Sequence, residues 1–96
     1  MIVTFRNKAT SEIAQGVLSK RTMKLLPKEL HRHALLKIAL INRAKILGDL
    51  NAPGLMLEKL SRDRKGQHSL RINKQYRICF EWRKDGVYNV EIVDYH

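Results

Sequence analysis

The sequence holds a single cysteine, Cys79, in 96 residues, so no internal disulfide can staple the chain, and a lone thiol suits a reducing compartment. Lying within a predicted strand, Cys79 reads as a buried structural thiol rather than a reactive one. Metal-ligand spacing is missing as well. His31 and His33 stand two residues apart and would diverge by about 200° on a helix, and no histidine pair has the i, i+4 spacing of a zinc site. There is no glycine-rich phosphate loop, no serine elbow, and no acid pair of the kind that glycoside chemistry uses. No apolar run approaches the roughly 18 residues of a membrane span, and the first residues lack the basic, apolar, small-residue order of a signal peptide. A cytoplasmic protein without cofactor, metal or membrane association is the expectation. Acids are also scarce, nine against nineteen Lys and Arg, which gives a net charge of +10.

That charge predicts salt-sensitive affinity for polyanions. It is unevenly placed. Residues 1–47 carry ten Lys or Arg and two acids, whereas residues 48–96 carry nine and seven. Within the second half, the stretch 58–77 alone holds seven cations against Glu58 and Asp63. The chain length allows one domain, 1–96, with a modest core drawn from 44% apolar residues.

Ile2 to Phe5 is β-prone and short. Thr10, Ser11 and Glu12 resemble a helix start, Gly16 interrupts it, and Val17 to Leu26 is basic and ambiguous. Pro27 opens a clearer helix that runs from Lys28 to Leu47, with Gly48 as its stop. Leu30, Ala34, Ile38 and Ile41 form its apolar stripe, with Leu36, Leu40, Ala44 and Leu47 alongside. Lys28, Arg32, Lys37, Arg43 and Lys45 lie mostly off that stripe, facing either solvent or an acidic or nucleic-acid partner. Asn51, Pro53 and Gly54 mark a loop, Leu55 to Leu60 a short strand, and Arg62 to Gly66 a charged turn. Asp85-Gly86 signals a hairpin into a last strand, Val87 to Tyr95, apolar on both faces and so expected to be interior. The fold class expected is α+β: an N-terminal strand and two helices packed on one face of a small antiparallel sheet.

The register of the central hairpin can be argued from alternation. Leu70 and Ile72 on one strand, and Tyr76, Ile78, Phe80 and Trp82 on the next, share a face only if Leu70 pairs with Ile78 and Ile72 with Tyr76. Asn73, Lys74 and Gln75 then form the loop. The same register sets Arg71 across from Arg77 and Ser69 across from Cys79 on the other face. Two facing arginines repel unless an anion sits near them, a first sign of a phosphate site. With Arg, His, Tyr and a few carboxylates as its tools, an enzyme here has what metal-free RNA cleavage requires. That chemistry needs a base for the 2′-OH, an acid for the leaving 5′-oxygen, and cations for the growing phosphate charge. His96, written last after Asp94 and Tyr95, would have its imidazole beside a carboxylate that raises a histidine pKa.

The stretch L-E-K-L-S-R-D-R-K-G-Q-H-S-L-R-I-N-K-Q-Y-R-I-C-F-E-W, with V-E-I-V-D-Y-H after it, resembles the HigB-like toxins of the RelE superfamily. That resemblance implies a RelE-like fold and a small basic ribonuclease that cuts mRNA in the ribosomal A site. It also implies a cognate antitoxin with a helix-turn-helix DNA-binding domain, through which alone operator DNA is reached. Arg77 then matches the arginine that binds the scissile phosphate and Arg71 a supporting position. Asp94, Tyr95 and His96 match the C-terminal catalytic cluster, and Glu58 falls where relatives place an acid-base residue. Many relatives have glycine where this chain has Arg62, and Ser61 replaces a lysine seen in some. Lys59, Arg62, Arg64, Lys65, His68 and Lys74 are the expected RNA contacts. A non-catalytic RNA- or ribosome-binding module that blocks translation by occupancy is the rival reading. A basic DNA-binding accessory protein is weaker, for want of a recognition helix.

Overall fold

Capping side chains set where the first two helices begin. In the computed structural model, which describes residues 1–95, Asn7 accepts from the Thr10 backbone N–H and opens α1 (Lys8–Ala14). Ser19 and Thr22 exchange side-chain and backbone bonds as a reciprocal cap that opens α2 (Lys20–Leu25), turning the ambiguous basic segment into a short helix. Pro27 leads into one 3₁₀ turn, Lys28–Leu30, before α3 (His31–Arg43). The expected run to Leu47 is cut short. Asp49 Oδ2 accepts from the backbone N–H groups of Lys45 and Ile46, at 2.9 and 3.1 Å, and so draws away donors that a longer helix would use. Those two bonds hold the Asp49 carboxyl below the usual carboxylate range.

Among the described residues, β1 (Glu58–Lys59), β2 (Gln67–Arg71), β3 (Tyr76–Arg83) and β4 (Gly86–Asp94) form an antiparallel sheet in that order. Leu70 pairs with Ile78, Arg71 with Arg77 and Ser69 with Cys79, as alternation requires. Ile72 N–H donates to the Tyr76 carbonyl at 2.9 Å, closing the Asn73 to Gln75 loop.

The N-terminal segment is less than a full strand. Ile2 and Phe5 make isolated parallel bridges to Val87 and Val90, and Val3 and Arg6 donate to the carbonyls of those two residues. This segment covers the outer edge of β4. Farther along the same edge, buried Thr10 Oγ1 accepts from Ile92 N–H at 3.2 Å. The last strand is thus flanked on both sides even though it ends the antiparallel ladder. A bulge interrupts β3 and β4 between Cys79 and Glu81, with Asn89 at φ 55°. The extra residue reverses the alternation, so Val87 and Val90 both reach the core while Val93 faces away.

The core lies between the helices and one sheet face. Ile13, Leu26, Ala34, Ile38 and Ile41 pack with Leu70, Ile78, Phe80, Val90 and Ile92. Leu36, expected beside the stripe, is instead 49% exposed. Lys37 leaves the solvated set: its Nζ donates to the Arg71 carbonyl at 2.6 Å, and burial followed by the charge of Arg71 lowers its pKa.

Candidate functional site

On the sheet face away from the helices, alternation places Ser69, Arg71, Arg77, Cys79 and Glu91 together, and register adds Glu58 opposite Ser69. Among the described residues, α1, α2 and α3 lie with the core on the opposite face, yet Ser69 and Cys79 are fully buried. Long side chains roof them. Arg77 Nε donates to Ser69 Oγ at 2.7 Å and its Nη2 to the Met56 carbonyl at 2.7 Å. Glu58 Oε1 stands 3.9 Å from Nη2, and the guanidinium carbon lies 5.4 Å from the centre of the Tyr95 ring. Among the described residues, two of the five guanidinium donors make hydrogen bonds, leaving others for an anion's oxygens. Only 12% of the Arg77 side chain is exposed, against 53% for Glu58, so the cation is fixed and the carboxylate is accessible.

Arg64 roofs the neighbouring stretch. Its Nη1 donates to Gln67 Oε1 at 3.0 Å and to Glu91 Oε1 at 3.1 Å. Beneath these groups burial pushes the Cys79 thiol up, so it stays protonated and inert. Residues 58–64 and Tyr95 enclose an open cleft of about 400 Å³ beside the Arg77 cluster.

Glu58, Arg77, Tyr95, Lys59, Arg62 and Arg64 therefore meet at one place. Arg71 shares the face, but its Nε turns back to the Asn73 carbonyl at 3.1 Å. The two facing arginines diverge onto carbonyl and hydroxyl oxygens, so their repulsion is relieved within the protein. Lys65 is exposed in the turn that follows Arg64, and Lys74 is exposed at the hairpin loop. Asp94 falls on the other face, opposite Tyr76, where it accepts from Gln75 Nε2 at 3.0 Å. His68 is displaced too: it pairs with Phe80 and stacks on that ring at 6.2 Å, on the side of the core. His96 lies outside the described residues. Among those residues, no three His, Cys, Asp or Glu gather as a metal site.

Sequence reasoning passed over three groups here: Ser69, the Met56 carbonyl and Glu91. Ser69 was detectable, since the register that sets it opposite Cys79 also makes it diagonal to Arg77. The backbone at Met56 was not, because its φ of 52° belongs to a residue with no turn signature. Arg62 is likewise left-handed, with φ 56°, a conformation that glycine adopts at less cost than arginine.

Residues 5–96 match the family described as RelE-like toxin of type II toxin-antitoxin system HigB. Toxin HigB-1 of Vibrio cholerae serotype O1 is 37% identical over 65 residues, 67% of this chain and 67% of that protein. Two solved structures from Staphylococcus aureus, a YoeB-YefM complex and a heterotetrameric YoeB-YefM toxin-antitoxin complex, share the fold. Each gives a TM-score of 0.61 over 100% of this chain and 98% of the other, at 16% identity. A family match over nearly the whole chain, joined to that fold, means that the chain belongs to the HigB-like, RelE-like toxins of type II toxin-antitoxin systems.

Proposed function

We propose that this toxin is a ribosome-dependent mRNA endonuclease, in which the substrate's own 2′-OH attacks the adjacent phosphorus without a metal ion. The observation that carries the reading is the fixed Arg77 guanidinium, bordered by Glu58 and Tyr95 at a polar cleft. A scissile phosphate placed on its remaining donors has Glu58 within reach on one side and an aromatic ring on the other. Glu58 and His96 divide the proton transfers: one takes the 2′-OH proton, and the other gives a proton to the departing 5′-oxygen. The products are a 2′,3′-cyclic phosphate and a 5′-hydroxyl. Arg77 stabilises the pentavalent phosphate, with Arg71 adding positive potential from the same face. Tyr95 stacks on a base or orients the phosphate, and Asp94 fixes the strand end that presents it. Lys59, Arg62, Arg64, Lys65 and Lys74 hold RNA backbone, in mRNA or ribosomal RNA.

The antitoxin of such a system would carry a helix-turn-helix domain, and operator DNA would be bound only by the toxin-antitoxin complex. The test is primer extension on mRNA bound to programmed ribosomes, beside ribosome co-sedimentation. Arg77→Lys keeps the charge but loses the planar fork, so cleavage should fall at least ~100-fold while sedimentation persists. His96→Ala should cost about 100-fold to 10,000-fold in rate. Growth inhibition by the wild type with no cut mRNA would overturn the reading in favour of an occupancy module.

A further inference from the structure

A second cleft, about 470 Å³, opens at the far end of the β3 and β4 ribbon, between the end of α3 and the turn before β4. Arg43, Lys45, Arg83, Lys84 and Trp82 are among the residues that line it. Arg83 is occupied, paired with Glu81 and lying 4.2 Å over the Tyr88 ring. Asp85, the acid in the cleft, receives the Tyr88 hydroxyl at 2.7 Å. Among the described residues, Arg43, Lys45 and Lys84 form no ion pair, and all three are exposed. The backbone beneath them is held in place. Asp49 ties down the amide of Lys45, and Asn42 Oδ1 accepts from Ile2 N–H at 2.8 Å.

We infer that this cleft is a second RNA-binding site, taking a single-stranded segment by its phosphates on Arg43, Lys45 and Lys84, with a base against Trp82. Arg43 and Lys84 with no ion pair among the described residues, and Lys45 with only the through-space charge of Asp49 beside it, stand around a half-buried indole and supply the two elements of single-strand binding: charge for the backbone and a flat apolar face for a base. The site is separate from the Arg77 cluster. Arg77 and Arg83 are six residues apart on one strand, about 20 Å at roughly 3.3 Å per residue. One strand, or two strands of a folded RNA, could therefore touch both ends of the ribbon. The inference deepens the reading of an RNA substrate and does not depend on cleavage.

Trp82 is the one tryptophan of the chain, so its emission reports this cleft alone. The probe is a fluorescein-labelled ten-nucleotide oligouridylate, whose affinity is read by anisotropy over a salt series, with an unlabelled copy for tryptophan emission. Saturable quenching of Trp82 is expected in the wild type. The triple variant R43A/K45A/K84A should bind at least ~10-fold more weakly near 0.1 M salt. Its slope of log affinity against log salt should shrink by about 2, at roughly 0.7 for each phosphate contact. A control variant, K20A/K24A, removes two exposed charges from α2 and should leave quenching unchanged. Anisotropy showing binding with no change in emission would overturn the proposal. So would an unchanged slope in the triple variant, or quenching by the antitoxin but not by the oligonucleotide, which would make the cleft a protein-docking surface. Because cleavage is tested separately, with Arg77→Lys and His96→Ala on programmed ribosomes, loss of the nuclease reading would leave these outcomes interpretable.

Discussion

The two faces of one small sheet are built from alternate residues of the same strands, and they solve burial in different ways. On the helix side, Leu70, Ile78, Phe80 and Ile92 are buried by Ile13, Leu26, Ala34 and Ile38. Shape and apolar area carry that side. On the other face, Ser69 and Cys79 are equally inaccessible, but what excludes water is the stems of Arg77 and Arg64. Their charged ends stay tied to oxygen atoms and to Glu58 and Glu91. A face roofed by arginine can admit phosphate without opening the core. Burial under apolar side chains and burial under charged ones are thus separated by the two-residue period of a strand.

Phe80→Ala is the largest expected break in that division. The ring is fully buried on the helix side, and truncating such a residue typically costs about 3–5 kcal/mol. A domain of this size has about 5–15 kcal/mol in total. Urea titration should show a midpoint sharply lowered, with cleavage lost only in proportion to the unfolded fraction. Normal stability with lost cleavage would mean that the helix side contributes directly to the site.

Ser69→Ala probes the open face. Removing the hydroxyl leaves the Arg77 Nε donor without its acceptor, and bonds to charged groups contribute roughly 1.5–3 kcal/mol. Stability should fall within or below that range, less than for Phe80→Ala. Single-turnover cleavage should drop by at least ~10-fold, because a guanidinium displaced by even 1 Å loses its alignment with the phosphate. Ribosome co-sedimentation should stay near wild type. Full cleavage in this variant would show that Arg77 needs no anchoring by Ser69.

Much of this arrangement was written in local alternation. Leu70, Ile72, Ile78 and Phe80 announce a hairpin whose register follows from one buried face, and Gly16 marks the end of α1 as expected. Features depending on distant backbone were not legible. The bulge at Asn89 reverses alternation within β4, and nothing in V-Y-N-V signals it. Asp49 stops α3 from beyond its end, where helical periodicity carries no information. Among the expected site residues, Glu58, Arg77 and Tyr95 stand beside one cleft. Asp94 and His68 went to the other face because a step of one residue along a strand reverses direction.

His68→Phe sharpens the contrast with the smallest effect. The imidazole stands on the helix side, stacked on Phe80, and its buried Nδ1 has no hydrogen-bond partner among the described residues. Burial first, and then the charge of Lys59, lower its pKa. The folded state therefore holds the ring neutral where the unfolded chain would protonate it. Stability from this residue is complete above an unfolded pKa near 6.5 and is lost as pH falls below it, toward the lowered folded value. Phenylalanine keeps the stacked ring and removes both the unpaired nitrogen and the titration. The variant should gain about 1 kcal/mol at neutral pH, and its advantage should widen between pH 6.5 and 5.5. Urea titrations at several pH values measure both. Affinity for oligouridylate should be unchanged, since the ring lies away from the Arg77 face. A variant that binds RNA several-fold more weakly at equal stability would return His68 to the RNA interface, whereas an unchanged pH profile would show that its titration is not coupled to folding.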